Sequence, residues 1–103
     1  MRIRHTVIFT FYDTTTDDQI NDAMNRLSEM GEWLIANVGV TNWTLEKHIP
    51  ETYRDGRAHL LQDCIFPDLD SLNQHGNSDA HKRVVDLTPK ICDWMTVDTK
   101  FPD

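Results

Sequence analysis

The stretch Ile3-Arg4-His5-Thr6-Val7-Ile8-Phe9-Thr10-Phe11-Tyr12, followed at once by Asp13-Thr14-Thr15-Thr16-Asp17-Asp18-Gln19, decides the fold. Its first half alternates. Ile3, His5, Val7, Phe9 and Phe11 fall on one face, and Arg4, Thr6, Ile8, Thr10 and Tyr12 on the other, the two-residue period of a strand rich in β-branched and aromatic side chains. Its second half is a helix start. Thr16 and Gln19 have the spacing of a capping box, with Asp17 and Asp18 at the positive end of the helix dipole. Ile20, Ala23, Met24, Leu27, Met30 and Leu34 then recur at intervals of three and four, which predicts an amphipathic helix that Gly31 ends or loosens.

Working outward, Val38-Gly39-Val40 opens a second extended run through Lys47, and the polar residues from Pro50 to Gly56 read as a loop. Ala58 to Phe66 is a third strand, with His59, Leu61, Asp63 and Ile65 on one face and Leu60, Gln62, Cys64 and Phe66 on the other. Asp68 can cap a short helix through Gln74, and Gly76-Asn77 interrupts it. Ser78 can cap a second piece bearing Ala80, Val84, Val85 and Leu87, which Pro89 kinks or divides near its end. Trp94 to Phe101 is the last alternating strand, with Met95, Val97 and Thr99 opposed to Trp94, Thr96 and Asp98. The order β-α-β-β-α-β is the split βαβ arrangement, so residues 1–103 are expected to form one ferredoxin-like α+β domain. Its four-stranded antiparallel sheet has helices on one face. The other face needs a cover, and the expected cover is a second copy, giving a homodimeric α/β barrel with Leu60 and Phe66 at the contact.

Composition narrows the function. The chain has 103 residues, 39% hydrophobic and 26% charged, with a formal net charge of -7. That balance argues against a disordered or membrane-embedded chain, and the negative charge argues against nucleic acid as a partner. The N-terminal apolar stretch is short for a signal peptide, so the expected location is the cytoplasm. Asn42-Trp43-Thr44 has the glycosylation pattern but reads as strand in such a chain. Cys64 and Cys92 are isolated and far apart, as expected of reduced core thiols. The four glycines, at 31, 39, 56 and 76, form no phosphate-cradling loop, and Ser71 and Ser78 read as helix starts rather than nucleophiles.

Three segments resemble the stress-responsive dimeric α/β-barrel (Dabb) family along nearly the whole chain. Ile3 to Phe9 is similar to the family's opening strand with its early His. Ala58 to Phe66 running into Pro67-Asp68-Leu69-Asp70-Ser71-Leu72 resembles its third strand and following helix. His75-Gly76-Asn77-Ser78-Asp79-Ala80-His81 stands where the family has a Tyr, two residues, His-Pro, one residue and a final His. His81 keeps the last His, while His75 replaces the Tyr, Ser78 the first His and Asp79 the Pro. The family includes olivetolic acid cyclase and a hydroxynitrile lyase. The resemblance therefore implies cofactor-free cyclase, isomerase or lyase chemistry on a carbonyl or polyketide-like substrate, with His81 as base and His5 as supporting donor or second acid/base. It places His75 where the Tyr would hold a substrate oxygen, and Asp98 where an acidic residue occurs in the cyclase branch.

The residues themselves allow that chemistry. A histidine titrates near neutrality, and a neighbouring carboxylate can orient its ring. If the helices cover the face bearing His5, then His5 and His59 point toward the helix carrying His81. Val7, Phe9 and Leu61 on the strands and Leu27 on the helix then line an apolar pocket together with His59, His75 and Asp98. No cofactor and no metal are expected, although three histidines beside an Asp are also a possible zinc ligand set. Strand histidines such as His59 are commonly ordinary hydrogen-bonded residues, His48 is given no role, and Met24, Leu27, Met30 and Trp33 read first as core packing. Three readings stay open: an acid/base enzyme, a ligand-binding or stress-response protein without catalysis, and a monooxygenase-like dimeric barrel.

Overall fold

The computed structural model describes residues 1–102. Strand β1 spans Arg2–Phe11, helix α1 Asp17–Asn37, strand β2 Thr41–Lys47 and strand β3 His59–Phe66. Three short helices follow, α2 (Leu69–His75), α3 (Asp79–Val85) and α4 (Thr88–Ile91), before strand β4 (Cys92–Phe101). The sheet is antiparallel throughout in the order β2-β3-β1-β4, which is the ferredoxin-like α+β topology anticipated above.

The local signals act as their chemistry dictates. The Thr16 hydroxyl accepts from the Gln19 amide while the Gln19 side chain accepts from the Thr16 amide, so the capping box closes in both directions. Asp68 and Ser78 cap α2 and α3 by accepting from the Ser71 and His81 amides. Gly31, however, neither ends nor loosens α1, which runs six residues further to Asn37. A Cβ at Gly31 would lie 2.3 Å from the Trp43 ring, so this glycine exists to let an indole lie on the helix. The indole arrives there through a bulge. The β2–β3 register slips by one residue between Thr41 and Thr44, and Asn42 takes the left-handed conformation at φ 54°.

Pairing across the sheet settles which residues share a face. Ile3, His5, Val7 and Phe9 of β1 lie directly opposite Phe66, Cys64, Gln62 and Leu60 of β3. Directly paired residues project to the same side. The buried core under the helices therefore contains Ile3, Val7, Phe9 and Phe11 with Leu60, Cys64 and Phe66, packed against Ile20, Ala23, Leu27, Met30 and Leu34 of α1. This reverses two expectations. Leu60 and Phe66 belong to the core, at 1% and 0% exposure, and cannot serve a dimer contact. His59 and Leu61 stand on the opposite, helix-free face, where His59 pairs with Thr10 and Leu61 with Ile8. The cause is the alternation itself: a period of two defines two faces per strand, and only the inter-strand register says which face joins which.

Both cysteines are buried free thiols, as their isolation suggested, and burial pushes Cys64 up to about 12 and Cys92 to about 11. No helix among the described residues is long and apolar enough to cross a membrane.

Candidate active site

The sheet leaves one region of its helix-side face uncovered. β4 is an edge strand, and its residues from Asp93 to Lys100 are exposed, whereas β1 and β3 supply the sheet residues of the core packed against α1. Where the cover stops, a cavity of about 250 Å³ opens between α1, α3, α4 and the β1–β4 half of the sheet. His5, Val7 and Phe9 form its floor, Leu27 and Met30 one wall, and His75, His81 and Val84 the roof. Trp94, Thr96 and Val85, all substantially exposed, border its mouth.

Three imidazoles and one carboxylate meet at one end. His5 and Asp98 are directly paired across β1 and β4, and His5 Nδ1 lies 2.6 Å from Asp98 Oδ1. The carboxylate can only accept, so Nδ1 carries the proton and Nε2 is left for the cavity. The His5 side chain is 11% exposed and that of Asp98 42%, which makes this a half-wet, charge-assisted bond rather than a fully buried pair. Phe66 meets the His5 ring edge-on at 5.6 Å and fixes its tilt.

His75 lies between the other two rings, 5.6 Å from His5 and 4.8 Å from His81, both at steep angles. His75 Nδ1 donates to the Leu72 carbonyl at 2.6 Å. Burial holds His75 below the usual histidine range, against the opposing pull of that carbonyl, so the ring is neutral at pH 7 and its Nε2 is a lone pair. A Tyr hydroxyl at this position can donate to a substrate oxygen, whereas neutral His75 has already spent its only N–H on Leu72. His81 is likewise held low, chiefly by burial, with its contact to Gly76 opposing and His5 adding a smaller push in the same direction as burial. Ser78 joins the two: its hydroxyl donates to the His75 carbonyl at 2.7 Å and accepts from the His81 amide at 3.1 Å.

Of the residues anticipated from sequence, His5, His75, His81, Val7, Phe9 and Leu27 line the cavity, and Asp98 reaches it through His5. His59 and Leu61 do not, for the register reason above. Gln62, Thr88, Trp94, Thr96, Val84 and Val85 line it without having been singled out as site residues. Gln62 carried a legible signal, a carboxamide in the middle of the most apolar face of β3. Gln62 is 1% exposed, and its carboxamide nitrogen reaches the Cys64 sulfur at 3.5 Å. Among the described residues no group of three or more His, Cys, Asp or Glu is placed to hold a metal ion.

The fold defines a class, the ferredoxin-like α+β proteins. Solved structures with this fold superpose over almost the whole chain. A dimeric ferredoxin-like protein of unknown function from Thermobifida fusca has a TM-score of 0.77 at 18% identity, covering 98% of this chain and 92% of that one. A Dabb family protein from Mesorhizobium loti has a TM-score of 0.68 at 20% identity, covering 99% and 98%. A cofactor-independent oxygenase from Streptomyces nogalater has a TM-score of 0.71 at 9% identity, covering 99% and 94%. No protein-family model matches the sequence, and no curated protein matches it.

Proposed function

We propose that residues 1–103 form one Dabb domain that works as a homodimer and binds a small carbonyl or polyketide-like molecule in the cavity. There it catalyses cyclisation, isomerisation or lyase cleavage by proton transfer without a cofactor. The observation that carries this reading is the His5–Asp98 bond of 2.6 Å at the wall of a cavity that also holds neutral His75 and His81. The family resemblance, and a solved Dabb structure with the same fold, support it.

The roles follow from the protons. His81, held neutral by burial, is the general base that removes a proton next to a substrate carbonyl. His5 supplies the second proton site through Nε2, and Asp98 both fixes its tautomer and stabilises the imidazolium that forms during the step. His75 does not take the donor part of the family's Tyr. It packs between the two working rings and excludes water from them. The Gln62 carboxamide is the neutral donor available to an oxyanion on the cavity floor. Val7, Phe9, Leu27 and Trp94 select an apolar body.

The test is proton exchange. A panel of enolisable β-diketones is incubated in heavy water, and deuterium uptake at the central carbon is followed by NMR. Wild-type protein accelerates uptake for at least one member, and His81→Ala loses that acceleration. Equal rates with His81→Ala, or no acceleration across the panel beside saturable ligand binding, leave the non-catalytic binding reading.

A second reading has one observation in its favour, the fold shared with a cofactor-independent oxygenase. A carbanion made by the same base can pass electrons to oxygen, so oxygen consumption during the exchange assay separates the two.

A further inference from the structure

A second imidazole pair lies outside the cavity, at the corner where β2 and β3 separate. The His48 amide donates to the His59 carbonyl at 2.9 Å, which makes the two residues the last rung of the ladder. Their Nδ1 atoms lie 3.2 Å apart. The His48 ring is pinned from two further sides: Tyr53 packs against it at 4.9 Å, and its Nε2 lies 2.6 Å from Thr52 Oγ1.

The hydrogen-bond chain sets the tautomer. Thr52 Oγ1 donates its own proton to the Ile49 carbonyl at 3.3 Å, so it accepts from His48 Nε2–H. A neutral His48 then has a bare lone pair at Nδ1, which accepts from Nδ1–H of His59 in the metal-free pair; a cation takes the place of that proton once His59 carries its own on Nε2. Two nitrogens on a tetrahedral zinc ion, each about 2.0–2.1 Å away, are separated by roughly 3.3 Å. The observed spacing fits that separation, and an imidazole whose other nitrogen donates to a fixed oxygen is the usual supported metal ligand. Thr52, Arg54 and Asp55 share a depression with the pair, while Glu46 and Lys47 border its other side, so the local charge is balanced. Both rings are half-buried and reachable from solvent.

We propose that His48 and His59 bind an imidazole-preferring divalent cation such as Zn²⁺ through their Nδ1 atoms, with water completing the shell. Two protein ligands make this an exchangeable site rather than a structural one. It is independent of the cavity histidines, because both rings stand on the opposite side of the sheet from His5.

Isothermal titration of the chelator-treated full chain with zinc chloride tests the site. Wild type takes up one Zn²⁺ per chain with a saturable heat. His48→Ala and His59→Ala lose it, His59→Gln loses it while keeping a hydrogen-bonding side chain, and Thr52→Val weakens it by about tenfold with both ligands in place. His81→Ala retains it. Absence of saturable uptake by wild type, uptake unchanged in the His59 variants, or loss in His81→Ala overturns the assignment.

Discussion

The two faces of the sheet are built on opposite terms. Under the helices, Phe66, Leu60, Cys64 and Phe11 are at or below 2% exposure, and the polar groups among them, His5 and Gln62, both border the cavity. On the open face, Leu61, Met95 and Val97 are 40–57% exposed, and a charged network crosses them. Arg4 grips Asp63 with Nη2 at 2.7 Å, the Thr6 hydroxyl donates to the same carboxylate at 2.8 Å, and the carboxyl is held below its usual range chiefly by the Arg4 hydrogen bonds. One face has its apolar area removed from water within the chain. The other keeps apolar and charged groups side by side, the composition of a surface that meets a partner and is specified by charge. In the proposed homodimer, stability lives on the first face and assembly on the second.

The largest expected effect breaks the first face. Phe66→Ala removes a fully buried ring that also braces His5, and should cost about 3–5 kcal/mol in chemical denaturation. A cost under 1 kcal/mol would mean that the core does not rest on this strand. Gly31→Ala comes next. In an exposed helix that change stabilises by up to about 1 kcal/mol. Here the Trp43 ring occupies the space, so the sign reverses to a loss of about 1–3 kcal/mol, recovered in part when Trp43→Ala is added.

The open face responds differently. Leu61→Arg and Val97→Arg should shift gel-filtration elution from dimer to monomer, yet change the stability of the monomer by only about 0.5 kcal/mol or less, as expected of exposed positions. A wild-type protein that already elutes as a monomer removes the partner role from this face. Asp98→Asn probes the border between the faces. It should lower turnover in the exchange assay by about a hundredfold, because a carboxamide no longer fixes the His5 tautomer, while the fold persists.

How much of this was legible beforehand differs between strand and sheet. The β1 alternation, the Thr16–Gln19 box and the caps at Asp68 and Ser78 are local devices, and they lie where the sequence puts them. The phase of β3 is not local. Its two faces, Leu60-Gln62-Cys64-Phe66 and His59-Leu61-Asp63-Ile65, each mix apolar and polar residues, and a histidine on one of them does not mark that face as the one shared with His5. Counting apolar groups favours the right one: three in the first set and two in the second, with Gln62 explained as a cavity residue. The cavity was legible where it rests on β1 and the His75–His81 turn, and illegible where it depends on an edge strand left uncovered, which Trp94 and Thr96 do not announce. Gly31 looked like a terminator because its partner, Trp43, lies across a bulge that only pairing reveals.

The smallest effect is the pH dependence of the helix-covered face. His75 and His81 have folded-state values below the ordinary 6.5, with burial the first cause in each. The folded protein therefore binds fewer protons than the unfolded chain as pH falls below that value. Stability is complete above about pH 6.5 and declines as pH drops through the lowered folded values. His75→Phe removes one of the two groups while keeping an aromatic ring between His5 and His81, so its melting temperature should fall less than that of wild type between pH 7 and pH 5. The open-face variants should keep the wild-type slope, because none of them touches either ring. A His75→Phe slope equal to that of wild type would place the acid sensitivity elsewhere, and a flattened slope in Leu61→Arg would tie it to dissociation of the dimer rather than to the buried imidazoles.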